Sequence, residues 1–391
     1  MLLRNARLVL PEKTTELASI LIEDQRIRRV FDSSETLPGS PAVIDLAGLT
    51  LFPGFIDLHI HGATGVDTMD ATDDDLLKLA TFLSRNGVTA WLPTLVPATS
   101  EQYVQAANSI DRLMRRQSAD QEGGARALGI HYEGPFVNDE QCGALHRKYF
   151  RTFKQMSELA SLPRLKHTEA AHMMTVAPEI EGGIALIKEL ASQSWIVSIG
   201  HTRANVEVLD QAFAAGARHM THFMNAMAPL HHRAPGAIGW GLMNDQVTCD
   251  LIADGIHLAS SILKLVLRNK TSERVSLISD AIAAAGLNDG QYEIWGETIV
   301  VKDGRTQNSQ GSIAGSVITM LDAVRMMLSL GFGESKVAQM AALNPARLLK
   351  LDYECGSIEA GKRADLVALD EQRKVRLTII GGQISFQDLA S

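Results

Sequence analysis

Eight polar side chains able to ligate a metal or move a proton recur at one kind of place in this sequence. They are His59, His61, Glu133, Glu179, His201, His222, His257 and Asp280, each at the end of a short apolar run. A single histidine in such a place is usually a packed or solvent-bonded side chain. Eight groups repeating the placement point instead to a common cavity. Glu133, His201 and His222 offer one carboxylate and two imidazoles, a mixed set that zinc and divalent iron accept while leaving a position open. An open position makes a catalytic centre, in which the metal acidifies water and draws charge from a substrate carbonyl. Asp280 is the candidate base for that water and could return the proton to an amine leaving group. Its competing role is as the N-cap of a helix begun by SDAIAAAG. His59 and His61, two apart in a strand, share one face and form a natural ligand pair.

The elements needed to bring these residues together can be read from the alternation of the chain. Short apolar runs occur at 51–61, 89–96, 126–136, 172–179, 195–201, 219–225, 247–257 and 274–282, with helix-length stretches between them such as 74–87, 101–116, 182–193 and 205–216. That alternation is how a parallel sheet with crossover helices is written. Eight strands suit a (β/α)8 barrel, whose C-terminal rim gathers residues distant in sequence. The run 292–304 alternates like a hairpin, and 316–331 and 334–349 read as helices. Both chain ends carry short β-like runs. The fold class expected is therefore α/β, a TIM-like barrel of metal-dependent hydrolase type over 51–354, with a small β-sandwich domain formed by 1–50 and 355–391.

Composition limits the partners. With 46% hydrophobic and 21% charged residues, a net charge of -8 and no run of eighteen apolar residues, an ordinary globular chain is expected, with no membrane span. No block of lysine and arginine offers the footprint that nucleic acid requires. The opening MLLRNARLVLPEK lacks the long apolar segment of a secretory signal, and Cys142, Cys249 and Cys355 form neither a CxxC pair nor an even disulfide set. Reduced thiols and a cytoplasmic location are expected.

The segments PGFIDLHIHG, EGPF (133–136), SIGHT (198–202), THFMNAM (221–227), DGIH (254–257), SDAIAAAGL (279–287) and the late NPARLL with GSIEAGKRADLVALD resemble the amidohydrolase superfamily. Within it, EGPF, THFMNAM with the following RAPG, and SDAIAAAG resemble the N-acetylglucosamine-6-phosphate deacetylases. The resemblance implies the same three metal ligands and the same role for Asp280. It further implies substrate contacts at Ala144, Asn225, Ala226, Arg233, His257 and Ile313, Ala314 and Gly315, a set suited to a sugar phosphate. It also implies a homodimer, with Arg233 reaching across the interface. One or two divalent ions per subunit are expected, the second at His59 and His61, zinc being the first expectation and iron, manganese or cobalt remaining open. HMMTVAPE offers no counterpart of the superfamily's carboxylated lysine, which argues against dihydroorotase-like and urease-like members.

The sequence departs from the family at one place. Members read GAH or GTH soon after EGPF, and that histidine helps polarise the acetyl carbonyl. Here Gly143, Ala144 and Leu145 precede His146, which comes one residue late and fills the catalytic role only if the loop bulges. This loop is where a preference for the galactosamine epimer or another N-acyl amino sugar would arise. A metal-binding but non-catalytic sensor is the remaining alternative, and it would not need to retain Asp280.

Overall fold

The computed structural model describes residues 1–39, 42–119 and 123–389, so the last two residues of the expected C-terminal segment lie outside it. Eight parallel strands form a nearly closed barrel: β1 (Phe55–Ile60), β2 (Val88–Leu95), β3 (Gly129–Glu133), β4 (Ala171–Val176), β5 (Ile196–Ile199), β6 (His219–Met220), β7 (Thr248–Ile252) and β8 (Val275–Ile278). Each pairs with the next in sequence order. The β8 end joins β1 through Asp280 N to His59 O at 2.9 Å and Ser279 N to Asp57 Oδ1 at 3.2 Å.

Strand alternation sorts the side chains into layers. Met174, Val176, Val197, Ile199, Met220 and Leu251 point outward into the core shared with the helices. Ala90, Leu92, Met173, Ile252 and Ile278 point inward and close the barrel floor with Ala346 and Leu349. The surrounding helices are α1 (Asp73–Arg85), α2 (Ser100–Ser118), α3 (Gly183–Ser192), α4 (Val206–Ala215), α5 (Gly236–Met243), α6 (Ser260–Lys270) and α7 (Met320–Ser329). Reciprocal capping boxes at Thr72 with Asp75, Thr99 with Gln102 and Thr319 with Asp322 fix the starts of α1, α2 and α7.

Several runs behave differently from the sequence expectation. The 51–61 run divides at Gly54: Thr50–Pro53 joins the terminal sheet and Phe55–Ile60 the barrel. The crossover from β3 to β4 contains only 3-10 turns (Asp139–Gln141, Arg147–Tyr149 and Met156–Ser161) in place of an α-helix. No helix begins at Asp280, which stands at φ +50° with its backbone bonded to His59 and Ser316, so the N-cap role is excluded. The expected hairpin after β8 is present as Gly290–Ile294, Glu297–Lys302 and Arg305–Gln307 in one three-stranded antiparallel sheet.

Both chain ends build one eight-stranded mixed sheet in the order 383–387, 375–380, 366–369, 50–53, 2–9, 14–23, 26–31, with 43–45 beside 2–9. Ile27 near one edge and Leu377 and Ile379 near the other share a single core with Leu3, Leu8, Leu51 and Leu366, so the sheet curls into two layers. Arg126 to Asp365, at 3.2 Å, and the Arg7–Glu334 pair tie it to the barrel.

Candidate active site

The ends of five barrel strands converge on one carboxylate. Glu133 closes β3, and its Oε1 lies 2.9 Å from both His201 Nε2 and His222 Nε2. Its Oε2 lies 3.3 Å from His61 Nε2, and its Oε1 is 3.7 Å from His59 Nε2. Asp280 Oδ1 faces the same pair of rings, 3.4 Å from His59 and 3.3 Å from His61. All six side chains are at least nine-tenths exposed to protein rather than water. His201 and His222 reach inward because the chain turns at φ +47° and +30° directly after their strands.

Two trios, His59 with His61 and Glu133, and Glu133 with His201 and His222, each bring one ligand atom per residue within 4.8 Å of one another. Imidazole nitrogens face each other at 3.0 Å between His59 and His61 and at 3.2 Å between His201 and His222. Lone-pair nitrogens that close repel unless a proton or cation lies among them, and the mixed N and O donors suit a divalent ion. The residues present therefore fit a metal centre. His201 Nδ1 donates to Gln141 O at 2.7 Å, which fixes the tautomer that leaves Nε2 free to ligate.

Burial and charge set the local protonation. Desolvation raises Glu133, but the four surrounding imidazoles win and hold it well below the usual carboxylate range. Burial would lower His61, yet hydrogen bonds and charge from Asp280 and Glu133 push it up to about 10. Burial pushes Asp57 up to about 7 against its bonds from the Ser279 hydroxyl and the Ser279 and His59 amides. Burial also raises Asp67 to about 6, against the pull of the Met69 amide, His61 and the Trp295 indole.

A cleft of about 300 Å³ opens above these groups. His61, Glu133, His201, His222 and Asp280 line it, and so do Ala144, Asn225, Ala226, His257, Ile313 and Gly315 from the expected substrate set. Ala314 is buried behind the wall, its amide on Thr306 Oγ1 at 3.2 Å. Gly315 must lack a side chain, since a Cβ there would stand 2.7 Å from Ile282 and 2.8 Å from Asp280 O. Asp254 bonds His257 Nδ1 at 2.6 Å. Burial opposes its ionisation, but His257 and the Ile256 and His257 amides hold it below the usual range.

Arg233 and His146, unlike most of the expected residues, point away from the cleft. Arg233 lies in an exposed loop with its guanidinium on the His232 ring at 2.8 Å. His146 donates from Nε2 to Trp295 O at 2.6 Å, with Nδ1 3.5 Å from Glu297, while Leu145 takes the place on the cleft wall. At this point of the loop a leucine, not the histidine, faces the cleft. Glu179 proves to be a loop anchor: it accepts from Asn138 Nδ2, Thr202 Oγ1 and Arg203 N at 2.8, 2.6 and 2.6 Å.

Trp295 and Asp254 escaped the sequence reading. Asp254 stands three residues before His257, a spacing that could have revealed it. Trp295 carries no such signal, because a tryptophan in a hairpin reads as packing. Its indole meets the His61 ring edge to face, centroids 5.1 Å apart at 80°.

The Amidohydrolase family pattern matches residues 50–385, and the chain belongs to that family. Within it, the chain is 34% identical over 394 residues to N-acetylglucosamine-6-phosphate deacetylase of Bacillus subtilis (strain 168), covering 99% of this chain and 97% of that protein. It is 37% identical over 372 residues to N-acetylgalactosamine-6-phosphate deacetylase of Escherichia coli O157:H7, covering 93% and 95%. The solved N-acetylglucosamine-6-phosphate deacetylase of Thermotoga maritima superposes with a TM-score of 0.88 at 32% identity, over 99% of this chain and all of that one. The Mycobacterium smegmatis enzyme, solved as a mutant in complex with N-acetyl-D-glucosamine-6-phosphate, gives 0.88 at 30% identity, over 98% and 99%.

Proposed function

We propose that this chain hydrolyses the acetamide of N-acetylglucosamine 6-phosphate, giving glucosamine 6-phosphate and acetate. The observation that carries the reading is Asp280, with its carboxylate 3.3–3.4 Å from His59 and His61 in the cleft that also holds the Glu133, His201 and His222 cage. A galacto reading has its own support in the relative at 37% identity that acts on the N-acetylgalactosamine phosphate.

Glu133, His201 and His222 would hold the hydrolytic divalent ion, with His59 and His61 offering a second position beside the same glutamate. When bound, such an ion, zinc foremost and iron, manganese or cobalt as alternatives, polarises the acyl carbonyl and makes water more acidic. Asp280 accepts the proton of the attacking water as the C–O bond forms. It then gives that proton to the amine nitrogen as the C–N bond breaks, because an unprotonated amine is too basic to leave. His257, oriented by Asp254, and Asn225 supply donors for the phosphate end, and Arg233 completes it from the second subunit of a homodimer. The three cysteines are free thiols, in keeping with a cytoplasmic enzyme.

The test is acetate release by metal-loaded protein from both epimeric 6-phosphates. Asp280→Asn is expected to keep its metal and lose turnover by about 10²- to 10⁴-fold. Full turnover in that variant would overturn the mechanism, and no acetate from either epimer would overturn the function.

A further inference from the structure

The scissile carbonyl carbon has to lie where Asp280 and the metal cage meet, so its acyl substituent is one bond from that point. The sugar leaves in the other direction, toward Asn225 and His257 beyond the ends of β6 and β7. On the β1 side of the cleft, the Trp295 ring lies 5.1 Å from the His61 ring, and Leu145 lines the same cavity. Two contacts help to fix Trp295 there. Its ring stands edge to face on His61, and its carbonyl accepts from His146. It occupies the first position of a two-residue hairpin turn at φ +54°, followed by Gly296 at φ +78°, a backbone conformation seldom given to a bulky residue.

We infer that Trp295 is the specificity-determining wall of the acyl subsite, admitting acetyl and excluding longer acyl groups, and that His146 is the positioning residue that holds it. The inference rests on the deacetylase reading above. It also gives the late histidine a use: the residue that would otherwise face the carbonyl pins the hairpin from behind, and Leu145 closes the wall beside it.

The experiment compares kcat/KM for N-acetyl, N-propionyl and N-butyryl hexosamine 6-phosphates in the metal-loaded full chain. An extra methylene in a fitted pocket changes such ratios by about 10- to 200-fold, so wild type is expected to lose at least about tenfold from acetyl to butyryl. Trp295→Ala is expected to raise the butyryl to acetyl ratio by about tenfold or more, and Trp295→Phe by less. His146→Ala should move the ratio the same way and add nothing in the Trp295→Ala background, a pattern that general loss of structure would not produce. An unchanged ratio in soluble Trp295→Ala and Trp295→Phe, with acetate still released, overturns the gate alone. Absence of acetate release in wild type overturns the deacetylase reading, and the gate falls with it.

Discussion

His61 shows how one residue's protonation couples to the whole centre. Burial would lower its pKa, but the flanking carboxylates of Asp280 and Glu133 raise it from 6.5 to about 10. A raised folded pKa means the proton stabilises the metal-free fold fully below about 6.5, and that contribution fades as pH climbs towards about 10. A divalent ion needs the neutral ring, so filling the His59, His61 and Glu133 trio must expel the proton. Apparent affinity at that trio should therefore rise with pH across this window, by up to about tenfold per unit. Calorimetric titration at pH 8 in two buffers of different ionisation enthalpy reads the released proton directly, and buffer-independent heats would show the ring already neutral. The proposed ligands and base, which the fold brings together, were legible in the sequence because their side chains are chemically distinctive and end apolar runs. Trp295 was not, since its part in the cleft depends on a hairpin folding back over β1, and nothing local encodes that approach.

At the level of elements, the strands are held in register beneath the site by a polar layer. Leu58 O can only accept, so His131 Nδ1 carries a hydrogen towards it at 3.2 Å. Burial keeps His131 neutral, its pKa pushed down to about 3, so Nε2 accepts from Thr175 Oγ1 at 2.9 Å. Thr175 in turn accepts from Thr221 at 2.7 Å, and Thr221 from Ser198 at 2.6 Å. The chain runs one way from β5 through Thr221, just past the end of β6, to β4, β3 and β1, and His59, Glu133, His201 and His222 each follow one of its members by one to three residues. Thr175→Val keeps the volume but leaves His131 Nε2 without a donor and the Thr221 hydroxyl without its acceptor. It should cost about 1–3 kcal/mol, seen as a lower urea midpoint with an unchanged slope, whereas a midpoint equal to wild type would show the chain to be dispensable. Periodicity revealed most of the barrel, but it could not reveal that the run at 219–225 yields only two strand residues before turning. The turn is forced by His222, Met224 and Ala226 at positive φ, a price of aiming His222 inward that no apolar pattern records. Asp280 likewise suited a helix cap on composition alone, until the bonds closing the barrel claimed its backbone.

The whole molecule depends on contacts that sequence order conceals. The strand 50–53 pairs with 2–9 on one side and 366–369 on the other, so the terminal sheet cannot be completed before nearly the entire chain is available. Arg233 extends the same reasoning to the assembly. It is exposed and does not line its own chain's cleft, so the phosphate role proposed for it would be served in a second copy. In a two-fold dimer each cleft would then combine Asp280 from one subunit with Arg233 from the other. Arg233→Ala alone should weaken substrate binding, because losing an arginine bonded to phosphate leaves buried charge unpaired. Asp280→Asn alone should cut turnover by about 10²- to 10⁴-fold. Co-expressing the two variants separates the arrangements. Random pairing makes half of the dimers mixed, and each mixed dimer has one complete cleft of its two, so about a quarter of the wild-type sites should return. Activity no greater than the average of the two parent homodimers would mean that Arg233 serves its own subunit or neither.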